Sequence, residues 1–302
     1  MSTFGFLPNN LYTSHLGANT SGRSPRLWNS VTGSMMASDG SKRLVLAGED
    51  FTSFGGTLSS TTGTYWGEAG PYLTWQSNAA DTVAQLAAIK GGVLRMTATN
   101  ADEDAVTIQS GYGVAGLGSI SPTPGSDFLT AFEARFRINV ITDALVNVFI
   151  GLGEPGLCAA ATTLFSVEGV IADVDVIGFH IQQDDGDQLQ FVYRNSGSGA
   201  GATTEKIYNQ TTYPFTDSTG TAVALVASQW YKIGYLYDPN ALTSKKISIY
   251  LDNVEQGIHV TGANMAAVNF PDKFLAFTAA MQIEGTADTF LDIDWWNFAQ
   301  LI

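Results

Sequence analysis

The stretch KKISIYLDNVEQ, residues 245–256, decides the class of the fold. Ile247, Ile249 and Leu251 alternate with Ser and Tyr side chains, which is the period-2 pattern of a strand with one buried and one solvated face. The pair Asp252-Asn253 follows, and both residue types tolerate the positive φ that a two-residue hairpin loop requires. The stretch therefore predicts a strand, a tight turn and a second strand.

Alternation of the same kind recurs from Glu49 to the end of the chain. The clearest case is TAFEARFRINV (130–140), in which the apolar residues and the charged residues fall on opposite faces. GGVLRMTATN (91–100) and DAVTIQSG (104–111) read as one antiparallel pair. A helix is expected only over DTVAQLAAIKGG (81–92), with Asp81 as its N-cap.

Many strands with few helices predict an all-β, antiparallel two-sheet sandwich over residues 47–302. The residues expected to face its core are Phe132, Phe136, Ile247, Ile249, Leu251, Ile293 and Trp295. Tyr231, Tyr235 and Tyr237 share one face of another strand. They are expected to fill the core, and the alternative is an aromatic platform for a sugar.

The composition of the chain limits the kinds of partner that can be expected. The chain has 302 residues, of which 14% are charged, and its formal net charge is −14. A nucleic-acid partner is not expected, because the long-range field repels phosphate. No apolar run reaches the roughly 18 residues that a membrane span needs, and the N-terminus has no signal-peptide pattern. Cys158 is the single cysteine, so no internal disulfide is expected.

Residues 1–46 differ from the rest of the chain. They are rich in Asn, Ser and Gly, show neither helical nor strand periodicity, and are interpreted as an extended N-terminal arm. Spaced apolar side chains indicate that the arm lies on its own domain or on a neighbouring subunit. The candidate partner-binding residues are Phe4, Phe6, Leu7, Leu11, Tyr12 and Trp28.

The order of the strand motifs resembles a known family. GGVLRMTA is followed by FEARFRINV, FIGLG, WYKIGYLYD, the KISIYLDN hairpin and a terminal FLDIDWW strand. Over residues 49–302 this resembles the concanavalin A-like jelly roll in its laminin-G-like form. The resemblance implies lectins, glycan-binding modules, glycoside hydrolases or phage structural proteins, so the fold alone does not decide the function.

Tests for chemistry in the sequence are mostly negative. Asp292 and Asp294, with Trp296 and Phe298 expected beside them, are the nearest approach to the paired carboxylates of a glycosidase. The GxGxxG of residues 111–116 is followed by prolines, so it lacks the helix that holds a pyrophosphate. Asp184, Asp185 and Asp187 are interpreted as a hairpin turn, with Ca²⁺ binding as the alternative. We therefore expect no catalytic, cofactor or metal residue.

Together with the family resemblance, these observations favour a non-enzymatic structural protein of a virion, made in a host cytoplasm, and the assignment to a phage is what the resemblance implies. The specific expectation is a phage capsid decoration or cement protein, or a head or tail appendage, that binds capsid or other virion proteins and forms a homo-oligomer. The alternative is a carbohydrate-binding, lectin-like module, with a glycan as its ligand. A polysaccharide-active enzyme is a weaker alternative.

Overall fold

The structure is a computed structural model. It describes the residues 44–49, 51, 57–58, 62–65, 73–77, 81–86, 92–99, 103–110, 129–141, 146–159, 164–165, 170–182, 188–197, 205–208, 214–284 and 288–301. These residues form two antiparallel sheets, as the sequence predicts. No helix among them has the length and apolar composition to cross a membrane.

The first sheet has nine strands, and its longest strand lies near the middle. In order across the sheet they are β15 (Val254–Glu255), β14 (Ile247–Leu251), β13 (Tyr231–Tyr237), β8 (Thr130–Ile138), β17 (Thr289–Leu301), β6 (Leu94–Ala98), β5 (Thr82–Gln85) and β2 (Thr57–Leu58), with β1 (Leu44–Glu49) also paired to β17. One edge of β17 pairs with β8 along most of its length. Its other edge pairs with β6 and then with β1.

The second sheet has eight strands and packs face to face on the first. In order they are β12 (Glu205–Tyr208), β11 (Leu189–Arg194), β10 (Val176–Ile181), β9 (Val146–Gly153), β16 (Ala276–Ile283), β7 (Ala105–Ser110), β4 (Leu73–Ser77) and β3 (Thr62–Tyr65). The apolar strand β9 lies in the interior of this sheet. Strands β10 and β11 form the hairpin expected on either side of Asp184–Asp187, and the turn itself lies outside the described residues.

Aromatic side chains join the two sheets. The Trp296 ring stacks on Phe277 with centroids 4.2 Å apart and planes 4° apart, and Phe191 meets Tyr235 edge to face at 5.6 Å. Such pairs stabilise a core by about 0.5–1.5 kcal/mol beyond the area they bury. The predicted inward residues of β8 and β14 belong to this core, as do the three tyrosines of β13, which therefore present no open face to a sugar.

The hairpin predicted over residues 245–256 is confirmed. Leu251 pairs with Val254, and the two turn residues Asp252 and Asn253 have φ of 48° and 68°. Two consecutive positive φ angles define the type I′ turn, whose twist matches that of the flanking strands. Asn253 adopts a positive φ that glycine would adopt without strain, and because Asn also tolerates this conformation, the hairpin forms without a glycine.

The helix predicted over residues 81–92 is wrong in the part that the structure describes. Residues 82–85 are strand β5, and Val83 pairs with Met96 of β6. Asp81 is no N-cap, since its carboxylate accepts the Thr99 N–H at 2.8 Å and so ties the two ends of the hairpin. Pairing with β6 overrides the helical spacing of the apolar side chains. The short helix lies at α1 (Gly262–Met265), where Thr261 and Asn264 form a capping box.

Two further expectations are corrected. The segments 91–100 and 104–111 do not pair, because β6 belongs to the first sheet and β7 to the second. Trp295 does not face the core. Ile293 pairs with Phe136 and Trp295 with Arg135, so Asp294 is an extra residue that shifts the alternation, and Trp296 takes the inward place.

Candidate functional site

The acid pair Asp292 and Asp294 lies on the outward face of the first sheet, within an arginine ladder. Asp292 is 0% exposed and accepts from Arg95 through both oxygens, at 2.7 and 2.9 Å. Arg137 donates to the same carboxylate at 2.7 Å, and Arg135 pairs with Asp294. Both acids are therefore ion-paired with arginine side chains of the neighbouring strands β6 and β8. Trp296 and Phe298, expected beside them, lie on the opposite, inward face.

Aromatic rings flank the arginines of this ladder. The Arg95 guanidinium lies 3.4 Å from the centroid of the Phe290 ring, and Arg135 and Arg137 lie 4.5 and 4.7 Å from that of Trp230. Cation–π contacts of this kind each contribute about 0.5–2 kcal/mol, depending on desolvation. They fix the guanidinium planes against the sheet and so strengthen the hold on the two carboxylates.

The outward face of the second sheet is covered by the chain that follows β9. The Gln109 side chain of β7 accepts the N–H groups of Gly156 and Leu157 at 2.8 and 3.2 Å. Its amide nitrogen donates to the Glu154 carbonyl at 2.8 Å and to the Thr278 hydroxyl at 2.9 Å. One buried side chain thus ties this covering segment to two strands of the sheet.

A second apolar cluster completes this cover. Its members are Phe149, Leu157, Leu164, Phe165, Ile171, Val174, Val176, Val192 and Ala280. Phe165 stacks on the ring of His180 at 5.9 Å, so this histidine is buried under the cover, as a structural role requires. Cys158 is also buried, and its thiol donates to the Thr107 carbonyl of β7 at 3.5 Å.

The described surface contains a groove of about 400 Å³ at one end of the second sheet. Its walls come from the end of β11 and from the turn after α1. The lining residues are Asn195, Ser196, Gly197, Met265, Ala266, Ala267, Val268, Phe270 and Asp272. Pockets of about 300–1,000 Å³ with an apolar lining and a few placed polar groups are typical of ligand sites. The groove is therefore the candidate functional site.

Asp175, which precedes β10, holds the polar wall of this groove in place. Its carboxylate is 0% exposed and accepts the N–H of Ser196 at 2.7 Å and those of Asp272 and Lys273 at 3.0 and 3.2 Å. Lys273 donates to Glu154 at 2.6 Å and also contacts the Ser196 hydroxyl. The groove thus rests on one buried carboxylate that joins three separate segments of the chain.

The charges of this cluster support each other. Burial raises the pKa of Asp175, but hydrogen bonds from Ser196 and Asp272 and attraction to Lys273 outweigh it and leave the pKa below its ordinary value. The hydrogen bond to Glu154 raises the pKa of Lys273. Both groups are therefore charged at neutral pH, and both ionised forms stabilise the loops around the groove.

The structure does not describe the residues predicted to bind partners, which are Phe4, Phe6, Leu7, Leu11, Tyr12 and Trp28. Also outside the described residues are the candidate Ca²⁺ ligands Asp184, Asp185 and Asp187 and the GxGxxG of 111–116. In the part of the chain that the structure describes, no His, Cys, Asp or Glu side chains cluster in threes that could hold a metal ion.

Sequence reasoning missed the groove. Its central residue, Asp175, lies 97 residues from Asp272, and no short motif links them. The one available signal was the capping box at Thr261 and Asn264, which fixes the helix whose end forms the apolar wall. That signal predicts a helix start but says nothing of a groove.

Comparison with known proteins finds similar structures but no family. No family model and no curated protein matches the sequence. Among solved structures, a Bacteroides ovatus family 16 glycoside hydrolase for mixed-linkage glucan aligns over 84% of this chain and 99% of its own, with 12% identity and a TM-score of 0.48. Peanut lectin aligns over 86% and 99%, with 14% identity and a TM-score of 0.42. These are structures to which the chain is similar, and the fold of the described residues is the antiparallel two-sheet sandwich.

A third structure of this kind is the carbohydrate recognition domain of Emp46p. It aligns over 74% of this chain and 87% of its own, with 12% identity and a TM-score of 0.42. Likenesses at this level say nothing of the ligand of this chain. Function has to be argued from the residues of this chain.

Proposed function

We propose that this jelly roll is a non-enzymatic structural protein of a phage virion: a capsid decoration or cement protein, or a head or tail appendage. In this proposal the sandwich, which begins at β1 (Leu44–Glu49) and so three residues before the predicted boundary, is a rigid body, and the arm that precedes it binds neighbouring subunits of the virion, including other copies of the chain. The observation that carries the proposal is the arginine ladder, which engages the acid pair that the sequence offered for catalysis.

A glycosidase needs two carboxylates free to act on either side of one bond, about 5 Å apart for retention and about 6.5–9.5 Å for inversion. Here Asp292 is held by Arg95 and Arg137, and Asp294 by Arg135. Carboxylates held in arginine ion pairs are not free to approach a substrate.

The arm supplies the proposed attachment. Ordering a chain segment costs about 1–2 kcal/mol per residue in backbone entropy, which a segment without regular structure does not recover alone. Burying large apolar side chains such as Phe4, Phe6 and Trp28 on a partner contributes roughly 1.5–3 kcal/mol each. In a symmetric particle, several such weak contacts act together through high effective concentration.

Co-sedimentation tests this proposal. A variant lacking residues 1–30 is expected to remain folded, by circular dichroism and thermal melting, but to be lost from particles that lack the native copy. Full-length protein and full-length Leu242→Ala, which trims an exposed body side chain, are the controls and are expected to co-sediment. If the truncated protein co-sedimented with particles as well as the full-length protein does, the proposal would be contradicted, and the attachment surface would have to lie on the sandwich.

A carbohydrate-binding module is the second candidate, and the groove favours it. Asn195, Ser196 and Asp272 offer polar groups beside the exposed apolar residues 266–268, an arrangement that suits the hydroxyls and the C–H face of a sugar. A glycan array with clear hits that disappear in Asp272→Ala would support this candidate. Turnover of a glucan that is lost in Asp294→Asn would instead indicate an enzyme and contradict both.

A further inference from the structure

Charge is divided unequally between the arm and the sandwich. Residues 1–46 contain four of the 14 Lys and Arg residues but only one of the 28 Asp and Glu residues, which gives the arm a formal charge of +3. Residues 47–302 therefore carry −17. Two of the four cations, Arg23 and Arg26, lie in the segment RSPRLW, which ends in Leu27 and Trp28. This segment combines the residue types that dominate interface hot spots.

The groove has the complementary character. Phe270 forms part of its apolar lining, and Val268, 67% exposed, stands at its edge. Asp272 lines the same groove, and the Asp173 side chain, 60% exposed, accepts the N–H of the lining residue Gly197. Phe274, 60% exposed, follows two residues after Asp272. An exposed apolar turn beside Asp272 and Asp173 fits a large apolar side chain flanked by arginines, and Asp173 also pairs with Arg194 at 3.4 Å.

The chain enters the sandwich at the end where the groove lies. Residue 44, the first of β1, pairs with residue 301 of β17, and this end of β17 continues through Thr130 and Tyr237 to Ile247. Ile247 bridges to Val260, immediately before the turn that begins α1. The 16 residues from Trp28 to Leu44 span up to about 50 Å when extended, which is enough to reach an adjoining copy.

We propose that the groove binds the Arg23–Trp28 segment from the arm of a second copy of the chain. Trp28 packs against the exposed turn of residues 266–268, and the two arginines face Asp272 and Asp173. Exchange of arms places positive charge between bodies that otherwise repel each other, because each carries −17. This inference rests on the proposed function of the arm and names its receptor.

Cross-linking of full-length copies tests the inference. One variant carries Asn29→Cys, which leaves Trp28 intact, and a second, with a different mass tag, carries Ala267→Cys in the groove lining. The matched control replaces Ala267→Cys with Ala227→Cys, another exposed alanine, located beyond the opposite end of β8. The native Cys158 is buried and present in all variants. Mixed copies are oxidised and the hetero-dimer is measured on a non-reducing gel.

The Asn29→Cys and Ala267→Cys pair is expected to cross-link at least about tenfold faster than the control pair. Adding Arg23→Gln and Arg26→Gln, or raising the salt to about 1 M, is expected to bring the rate toward the control value, since exposed charges are then screened. Equal rates for the two pairs would overturn the inference. So would a cross-link that forms only when both cysteines lie in one chain, because the arm would then bind its own body.

The same measurements separate this inference from the proposed function. If the groove pair does not cross-link but deletion of residues 1–30 still releases the protein from particles, the groove is not the receptor and the arm remains the anchor. If the groove pair cross-links and the deletion leaves particle binding unchanged, the arm joins copies to each other and the proposed attachment to the virion is wrong.

Discussion

Asp292 and Asp175 are two carboxylates that the fold buries completely, and it satisfies them in different ways. Asp292, on the outward face of the first sheet, has arginine side chains from the two neighbouring strands as donors. Asp175, at the end of the second sheet, has main-chain N–H donors from two loops and a lysine nearby. The donors of Asp292 are therefore set by the register of the paired strands, whereas the donors of Asp175 are set by the positions of loops next to the second sheet.

This difference separates a structural site from a candidate binding site. Arg95, Arg137 and Asp292 are cross-strand neighbours, so their ion pairs form wherever the register of β6, β17 and β8 is correct. They contribute to the sheet and leave no open space. Asp175 instead fixes loops that do not pair with each other, and the space between those loops is the groove. A third carboxylate, introduced into the core where it has neither arginine nor main-chain donors, is expected to destabilise the fold more than the loss of Asp292 or Asp175.

Phe136→Asp places such a third carboxylate in the core, opposite Ile293. Removal of a buried Phe alone costs about 3–5 kcal/mol, and an unpaired buried charge adds to this. The variant is therefore expected to be unfolded or aggregated, by circular dichroism and size-exclusion chromatography. A variant that melts like the parent protein would contradict the assignment of this face of β8 to the core.

Asp292→Asn removes the charge that Arg95 and Arg137 share. Loss of one partner of a buried ion pair costs about 3–5 kcal/mol, and we expect about 3 kcal/mol because both guanidinium groups reach solvent. The free energy of unfolding in urea measures the effect, and Asp288→Asn, an exposed residue of the same segment, is the control with an expected change under about 0.5 kcal/mol. Similar values for the two variants would show that the ladder adds little to stability.

Asp175→Asn is expected to have a smaller and more local effect. Its side-chain nitrogen would face the N–H groups of Asp272 and Lys273, so an acceptor is lost and the cost is about 2 kcal/mol. Amide hydrogen exchange should accelerate at residues 196, 272 and 273 but not in β8 or β17. Uniform acceleration across both sheets would contradict the view that Asp175 organises the groove rather than the sandwich.

Local features of the fold could be predicted from the sequence. The turn at Asp252-Asn253 requires only positive φ at two residues, and the alternation in β8 depends only on the period of a strand. Both features are encoded within a dozen residues. The predictions failed where a distant strand decided the outcome. Pairing with β6 turned residues 82–85 into a strand, and the bulge at Asp294 turned Trp295 away from the core.

The candidate site was out of reach for the same reason. The acid pair could be named from the spacing of Asp292 and Asp294, but its arginine partners come from segments about 150–200 residues away in sequence. Ser196, Asp272 and Asp175 meet only after both sheets have formed. A single sequence contains no local signal for such contacts, since loop positions follow from strand order.

The pH dependence of the Asp175 contribution follows from its lowered pKa. A carboxylate whose pKa is lower in the folded state contributes stability above its unfolded-state pKa, near 3.8, and loses that contribution as the pH falls through the folded value. The difference in unfolding free energy between the parent and Asp175→Asn is therefore expected to be constant from pH 6 to 8 and to shrink below about pH 4. Urea titrations at these pH values measure it, and a difference that persists at pH 3 would contradict the assignment.

Lys273→Met is expected to have the smallest effect of the series, because the Lys273 side chain is 48% exposed and water screens its pairs with Glu154 and Asp175. Exposed pairs contribute about 0.2–1 kcal/mol. The pKa of Lys273 is raised, so its contribution is complete below the unfolded-state pKa near 10.5 and is lost as the pH rises through the folded value. Lys245→Met, which removes a similarly exposed pair with Glu255 of strand β15, is the matched control. If Lys273→Met costs more than about 2 kcal/mol while Lys245→Met does not, the lysine shares the structural role assigned to the main-chain donors of Asp175.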